Sequence, residues 1–482
     1  MTQTNAAKIA KSSMWLTMSF AIVRVSQLIA QIFFARILSP EEFGIWGMVL
    51  IVTTLSALFK ESAIASVLIQ RGLDDKKLVD AVYSLSINVA VGMFILQSLA
   101  GYPLSRFFGI PILWPLTACT ALVFIVGPGI GSHSAVLQRQ MKFKQLAISD
   151  SAAGVARFGS GVICALLGYG VWSFAIAEVA GTVVSSVLKS RMSGYHFTYH
   201  LIPDQSAIRA VRGYITSLIG INIAVFINTN GDNFIIGKLL GAQALGYYNL
   251  AYQLAMLPGF ALSQINRVNF SVLSQRDNDG QKAYLCKMLE LYAIFAAPTY
   301  GVALVIAPWL IPFVYGKQWT PAVLIFQIVI VFAYARGFMS ILGTALNAVD
   351  KPNVNAAINW ALIPVSVSAF YVGAQMGGIK GVAIAVALIL GIGATVWFWL
   401  AMCRAGRWNI VVLLKPVLLP TATVVVAVAA VLTIPLPVYL QTFLQPLFVV
   451  LIYGIAVSVF SGGRIPQILM ATVKRSLNKA SS

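Results

Sequence analysis

Five basic residues interrupt stretches of sequence that are otherwise almost wholly apolar: Arg24, Lys60, Arg157, Arg267 and Arg336. A charge at the centre of a bilayer costs roughly 2.5–3.5 kcal/mol on insertion scales, so its presence there marks a functional site by default. Acids able to neutralise these cations are fewer. Glu61, Glu178 and Asp232 lie well inside apolar stretches, whereas Asp80, Asp150 and Glu290 fall close to the ends, where water can solvate them. Lys60 and its neighbour Glu61 point about 100° apart on a helix and so do not face each other. Five cations against three acids leave surplus positive charge, and the ligand chemistry this favours is anionic.

Three of the cations carry polar company at helical spacing. Arg24, Gln27 and Gln31 follow i, i+3, i+7, which puts them on one helix face with Thr17 a further period back. Gln264, Arg267 and Ser271 repeat that spacing, and Thr53 precedes Lys60 by two turns. Asn222, Thr229 and Asn233 form another stripe, with Asp232 beside it. If the helices bearing these stripes line one chamber, Arg24, Lys60, Arg267 and Arg336 are its anion-binding cations. Gln27, Gln31, Asn222 and Gln264 are then its polar lining, and Glu61 and Asp232 the acids able to exchange a coupled ion. Such amides and hydroxyls also hold membrane helices together without any ligand. Arg157 has little polar company beyond Ser160 and is left out of this set.

The elements that must position these residues follow from composition. Of 482 residues, 59% are hydrophobic and 10% charged, with a mean hydropathy of +0.85. A soluble domain carries about 25% charged residues, so an all-α integral membrane protein is expected, with about 14 transmembrane helices of roughly 20 residues each. The apolar runs fall at 12–35, 45–69, 80–104, 111–137, 145–167, 171–189, 213–235, 245–273, 284–310, 321–346, 354–376, 380–402, 412–434 and 438–461. Threading the chain with its N-terminus inside puts 23 of the 33 Lys and Arg in cytoplasmic segments and five outside, a strong positive-inside bias that predicts both termini cytoplasmic. The first span is too long for a signal peptide's apolar region and reads as an uncleaved anchor. The net charge of +19 then belongs to loops facing anionic lipid rather than to nucleic-acid binding.

No cofactor or metal is expected. Cys119, Cys164, Cys286 and Cys403 are scattered among spans without metal-ligand spacing, and His196 and His200 sit in a polar connection with no nearby carboxylate or thiol. No phosphate-binding GxxxxGK[ST] loop is present, so the chain does not hydrolyse ATP itself. Glu41 and Glu42 follow Pro40 in a loop of a few residues and read as the solvated start of the second span rather than as catalytic acids.

The chain also repeats itself. Arg36-Ile37-Leu38-Ser39 through Phe43-Gly44-Ile45-Trp46 aligns with Lys238-Leu239-Leu240-Gly241 through Leu245-Gly246-Tyr247-Tyr248 at an offset of 202. Val67 to Arg71 matches Val272 to Arg276 at 205. Six spans separate the copies, so both copies have the same orientation, as in parallel repeats about an axis along the membrane normal. The predicted organisation is an N-lobe at 1–189, a cytoplasmic linker at 190–212, a C-lobe at 213–403, and two further helices with a basic tail at 404–482. Two parallel six-helix lobes suit alternating access. Gly127-Pro128-Gly129 in the first copy and Arg336-Gly337 in the second mark places where a helix can bend.

With these residues in hand, the chain resembles the polysaccharide-export branch of the MOP superfamily, the Wzx-type lipid-linked oligosaccharide flippases, and in particular colanic-acid-exporter-like members. The resemblance rests on Ala35 through Trp46, on Leu68-Ile69-Gln70-Arg71, and on Gln138-Arg139-Gln140-Met141-Lys142-Phe143. It implies a MATE/MurJ-like fold with a basic central cavity in a bacterial inner membrane. It also implies a non-enzymatic carrier whose ligand is an undecaprenyl-diphosphate-linked glycan moved from the cytoplasmic to the periplasmic leaflet. Polysaccharide polymerase or chain-length machinery would be its partner, alongside membrane lipid. Two other readings stay open: a MATE-type small-molecule or ion antiporter, which would want acids in its first lobe, and a membrane glycosyltransferase or polysaccharide polymerase, which would want a large external segment.

Overall fold

The computed structural model describes residues 22–60, 67–68, 73–259, 269–270, 272–434 and 438–461. Among the described residues, eight helices are long and apolar enough to cross a membrane, or nine when one bent pair is taken as a single span. The expected total of fourteen includes runs that fall partly outside the described residues. The chain packs as two compact units, Met1–Asn249 and Leu250–Ser482.

In the first unit, α1 covers residues 22–37 and α2 runs from Pro40 to Lys60. Ser39 and Glu42 close the start of α2 as a capping box. The Glu42 carboxylate accepts from the Ser39 N–H at 2.8 Å and hydroxyl at 3.0 Å, and the Glu42 N–H donates back to the Ser39 Oγ at 3.3 Å. Pro40 occupies the first helical position, where its missing N–H costs nothing. The solvated-cap reading of Glu42 therefore holds.

Asp75 caps α3 (Lys76–Phe108), and Gly109 ends it at φ 72. α4 (Leu113–Val126) and α5 (Ile130–Arg139) form the bent pair, 42° apart. The break is Gly127-Pro128-Gly129, as expected. α6 (Phe143–Leu166) and α7 (Trp172–Ser193) pack closely, because Gly161 and Gly181 leave room: a Cβ on Gly161 would sit 2.6 Å from Phe34 and 2.9 Å from Ala177. Phe34, Phe43 and Trp46 gather on Phe174, with Trp46 stacked at 5.2 Å, which joins α1 and α2 to α7.

The connection after α7 is not a free loop. Its backbone is taken up by polar side chains of α3 at i, i+4, i+8. Thr198 N–H donates to Asp80 at 3.0 Å, His200 N–H to Ser84 Oγ at 2.9 Å, and the Asn88 amide donates to the Leu201 carbonyl at 2.9 Å. The Phe197 ring stacks on Tyr83 at 4.4 Å. Asp80, expected to be water-solvated near its span's end, is instead 6% exposed, because it anchors this segment. His196 and His200 themselves are exposed.

α8 (Gln205–Met256) is interrupted at Gly241, whose φ of 86° and ψ of 177° separate two helices. The second of these approaches α2 so closely that only glycine fits. A Cβ on Gly44 would fall 1.7 Å from the Ala242 carbonyl oxygen, and one on Gly246 would fall 1.7 Å from the Pro40 carbonyl oxygen. These two contacts exchange under the 202-residue offset, as contacts do about a two-fold axis.

In the second unit, α9 (Asn278–Tyr315) is capped by Asp277 and followed by α10 (Ala322–Ala348). α11 (Pro352–Ala385) reverses at Gly378, where φ is 56° and ψ −139°. The backbones of Gly373 and Gly381 touch across that turn, so the apolar stretch Pro352–Gly406 supplies two passes rather than one. The second pass continues through a π-helical segment, Val386–Gly393, into α12 (Ala394–Gly406). α13 (Ile410–Thr433) and α14 (Val438–Phe460) follow. Leu289, Phe338, Leu342, Phe398 and Trp399 centre the core of this unit.

α10 runs unbroken through Arg336-Gly337, where a bend was expected. Gly337 instead admits the Tyr292 ring, whose Cζ would lie 1.9 Å from an added Cβ.

Gly44→Val and Gly246→Val should each destabilise the fold by about 3 kcal/mol, because backbone rather than a movable side chain blocks the space. Gly159→Ala, with nothing within 4 Å of the added carbon, should be neutral or stabilising by up to about 1 kcal/mol. Thermal unfolding of the detergent-solubilised variants measures the contrast.

Candidate functional site

In the first unit, a polar edge lies on α1. Val25, Ile29 and Phe33 are exposed along one stripe, the face such a helix turns to lipid. Arg24, Gln27 and Gln31 lie roughly opposite, about 100° per residue being the helical rotation. Arg24 Nη1 donates to Gln27 Oε1 at 2.8 Å. Gln31, 8% exposed, keeps its Nε2 buried without a hydrogen-bond partner. Arg24 and Gln27 are thus joined within the stripe read from spacing, and Gln31 on the same face keeps a buried donor without a partner.

Thr53 of α2 takes part in a second polar knot. Gln97, buried on α3, donates from Nε2 to Thr53 Oγ1 at 3.3 Å and to Thr120 Oγ1 at 3.0 Å. Lys60 ends α2 and Asn222 lies in α8, but their side chains are outside what the structure describes. Glu61, Gln264 and Arg267 lie outside the described residues altogether.

Asp232, one of the two acids expected to exchange an ion, is 2% exposed. Its carboxylate accepts from the Asn233 N–H at 2.8 Å and from the Tyr248 hydroxyl at 2.5 Å, a bond that crosses the Gly241 interruption of α8. Tyr248 is itself fully buried. Nothing in the spacing of Asp232 pointed to it, because the break at Gly241 changes the phase between the two helices.

Arg336 belongs to the second unit, on α10. Its Nη1 donates to the Tyr252 hydroxyl at 2.9 Å, and its guanidinium stands 5.7 Å from the centre of the Phe332 ring. Among the described residues no carboxylate comes within 4.0 Å of it. Tyr300 lies in the same region, 6.0 Å ring to ring from Tyr334, with its hydroxyl buried and lacking a partner. A cation held by a neutral phenol and a ring face, beside a spare hydroxyl, keeps its full charge for an incoming anion. The tyrosines were not singled out from sequence, since aromatic residues in spans are too common to signal a site.

Arg157 does have an acid: its Nε lies 3.3 Å from Glu178 Oε2. Arg157 stands outside the anion-binding set for want of polar company, and the spacing gives no sign of this partner. Among the described residues no group of three His, Cys, Asp or Glu side chains gathers as a metal site would require.

An arginine with no carboxylate within 4.0 Å among the described residues, polar stripes on an all-helical frame and paired apolar passes are the architecture of a multi-pass membrane protein. The fold has known counterparts. It superposes on the lipid II flippase MurJ in an inward closed conformation with a TM-score of 0.71, covering 93% of this chain and 99% of that one at 16% identity. It superposes on an inward-facing MATE family transporter of the MOP superfamily with a TM-score of 0.62, over 82% and 99% at 15% identity.

Residues 33–324 match the family described as "Polysaccharide biosynthesis protein", and the chain belongs to that family. Similar proteins include the lipopolysaccharide biosynthesis protein WzxC of Escherichia coli strain K12, 24% identical over 85% of this chain and 82% of that one. The teichuronic acid biosynthesis protein TuaB of Bacillus subtilis strain 168 is 23% identical over 82% of each. The succinoglycan biosynthesis transport protein ExoT of Rhizobium meliloti strain 1021 is 25% identical over 68% and 66%. These are transport and biosynthesis proteins of surface polysaccharides, in keeping with the polysaccharide-exporter resemblance and with a carrier rather than an enzyme.

Arg336→Gln should weaken anion binding at least tenfold, since a charge-assisted contact contributes about 1.5–3 kcal/mol. Tyr252→Phe, which leaves the charge in place, should cost less than threefold. Stabilisation of the purified protein by inorganic pyrophosphate, followed by thermal unfolding, separates the two.

Proposed function

We propose that the protein is an alternating-access flippase that carries an undecaprenyl-diphosphate-linked oligosaccharide from the cytoplasmic to the periplasmic leaflet for surface polysaccharide export. The observation that carries this reading is the guanidinium of Arg336, half-buried in a membrane helix and met, among the described residues, by a phenol and a ring but by no carboxylate within 4.0 Å. A polar head with two phosphates cannot cross hydrocarbon unaided, whereas its polyprenyl tail can stay in the bilayer. The carrier's task is therefore to replace phosphate hydration with guanidinium and ammonium groups. Arg24, Lys60, Arg267 and Arg336 are assigned to that task, and Gln27, Gln31, Asn222 and Gln264 to the sugars.

The reading includes an N-lobe at 1–189, a linker at 190–212, a C-lobe at 213–403 and both termini in the cytoplasm of a bacterial inner membrane. The basic excess in alternate loops supports the orientation. The reciprocal approach of Gly44 to Ala242 and of Gly246 to Pro40 supports the parallel repeat. The fold alone is shared with a multidrug resistance MATE family transporter, and the Arg336 guanidinium, with no carboxylate within 4.0 Å among the described residues, is what favours an anionic cargo here. A polymerase or chain-length partner is expected to take up the delivered glycan.

Deleting the gene should make lipid-linked intermediates accumulate on the cytoplasmic side while surface polysaccharide is lost; an unchanged lipid-linked pool overturns the reading. Arg24→Ala or Arg267→Ala should abolish export while the protein still reaches the membrane, and full export in both variants would remove the cation assignment.

A further inference from the structure

The Arg157–Glu178 pair is a charge pair in the middle of two membrane helices that the transport site as described above does not use. On α6, Val155, Ile163 and Leu166 are exposed at 56%, 59% and 67%, and Arg157 projects about 120–180° away from them. On α7, Glu178 projects about 140–180° from exposed Val183 and Val187. Both charges therefore face into the helix bundle.

Their depth follows from the packing of α1 on α6. Carbons added to Gly154 and Gly161 would meet Val23 at 3.2 Å and Phe34 at 2.6 Å. The two helices thus run in the same direction, and Arg157, between the two glycines, is level with the Arg24–Gln31 stripe. Gly181 clears the space for it, since a Cβ there would lie 2.7 Å from Arg157 Cβ and 3.0 Å from its Nε.

The pair is loose. The 3.3 Å contact leaves Arg157 Nε without an aligned hydrogen bond, and about a third of each side chain, 33% and 34%, is accessible. A structural ion pair at this depth would need good geometry and further hydrogen bonds to offset desolvation. Of the other ionisable groups described on the helices packed against α7, Glu42 of α2 is held by Ser39, Arg36 and Glu41 are exposed, and the rest lie elsewhere or are occupied. Asp150 is held by Lys189 at 2.8 Å, about 16 Å along the helix, and His133, bonded to Ser193, Arg139 and Lys144 lie toward that same end. Cys119 and Cys164 are thiols, and Arg24 of α1 holds Gln27.

We propose that Glu178 is the proton-carrying group of the transport cycle and that Arg157 is its exchange partner for the cargo's phosphates. This rests on the flippase reading. In the unloaded carrier the guanidinium neutralises the carboxylate. A phosphate oxygen then takes the guanidinium, and the freed carboxylate accepts a proton from hydronium in the wetted bundle interior, forming one O–H bond and releasing water. Release of the cargo reverses both steps, so one proton accompanies each loaded state.

The test uses the full-length protein in proteoliposomes holding a pH-sensitive dye, with undecaprenyl diphosphate as the probe. Wild type should take up protons when the lipid is added. Glu178→Gln should bind the lipid within about threefold of wild type yet show no proton signal, and Arg157→Gln should lose the signal and bind about tenfold more weakly. Arg157→Gln/Glu178→Gln should remain without a proton signal; recovery of wild-type transport by this neutral pair would make the contact structural and overturn the proposal. A wild-type proton signal from Glu178→Gln overturns it equally. Should that variant not fold, infrared difference spectra of wild type decide: a new carboxylic-acid band on adding the lipid supports the proposal, and its absence refutes it. Failure of wild type to bind undecaprenyl diphosphate removes the flippase reading itself, whereas binding without proton uptake removes only the proton assignment.

Discussion

A cation in hydrocarbon must be answered by something, and the rest of this structure is arranged around that requirement. Arg24 is answered by an amide one turn away, Arg157 by a carboxylate on the next helix, and Arg336 by a phenol and a ring. The three answers are not equivalent. A carboxylate cancels the charge, while a phenol only orients it, so Arg336, with no carboxylate within 4.0 Å among the described residues, remains electrostatically available. The apolar stripe of α1, Val25, Ile29 and Phe33, lies opposite Arg24 and turns that guanidinium away from lipid.

Much of the architecture was legible because each device that shapes it is local. Uninterrupted apolar runs gave the passes, Gly127-Pro128-Gly129 the 42° bend, and Ser39-Pro40-Glu41-Glu42 the capped start of α2. The reversal at Gly378 was legible as the short gap between two runs, although the helical hydrogen bonding continues so nearly through it that the passes merge into one stretch of 55 residues. What spacing misjudged was also local in appearance. Gly337 resembles a hinge in sequence, yet its missing Cβ serves a ring arriving from α9, a purpose no pattern within α10 records.

The chemistry was less legible because it is written between helices. Gln27 could be matched to Arg24 by i, i+3 spacing, but Tyr252 lies 84 residues from Arg336 and Tyr248 reaches Asp232 across a change of helical phase. The pairing of Arg157 with Glu178 required knowing that Gly181 faces α6. Counting acids against bases could not tell that Arg157 stands beside Glu178.

The segment after α7 shows the same limit from the opposite side. Its composition reads as a polar connection, and polar connections are expected to be wet and mobile. Yet a backbone N–H or carbonyl that leaves water needs a partner, and Asp80, Ser84 and Asn88 supply them at one-turn intervals along α3. Asp80 is buried because it is one of those partners, so its charge is committed to holding the chain rather than to a ligand. A carboxylate near the end of a span can thus be spent on architecture, whereas Glu178 in mid-span answers Arg157 through a 3.3 Å contact with a third of its side chain accessible, a partnership loose enough to be exchanged.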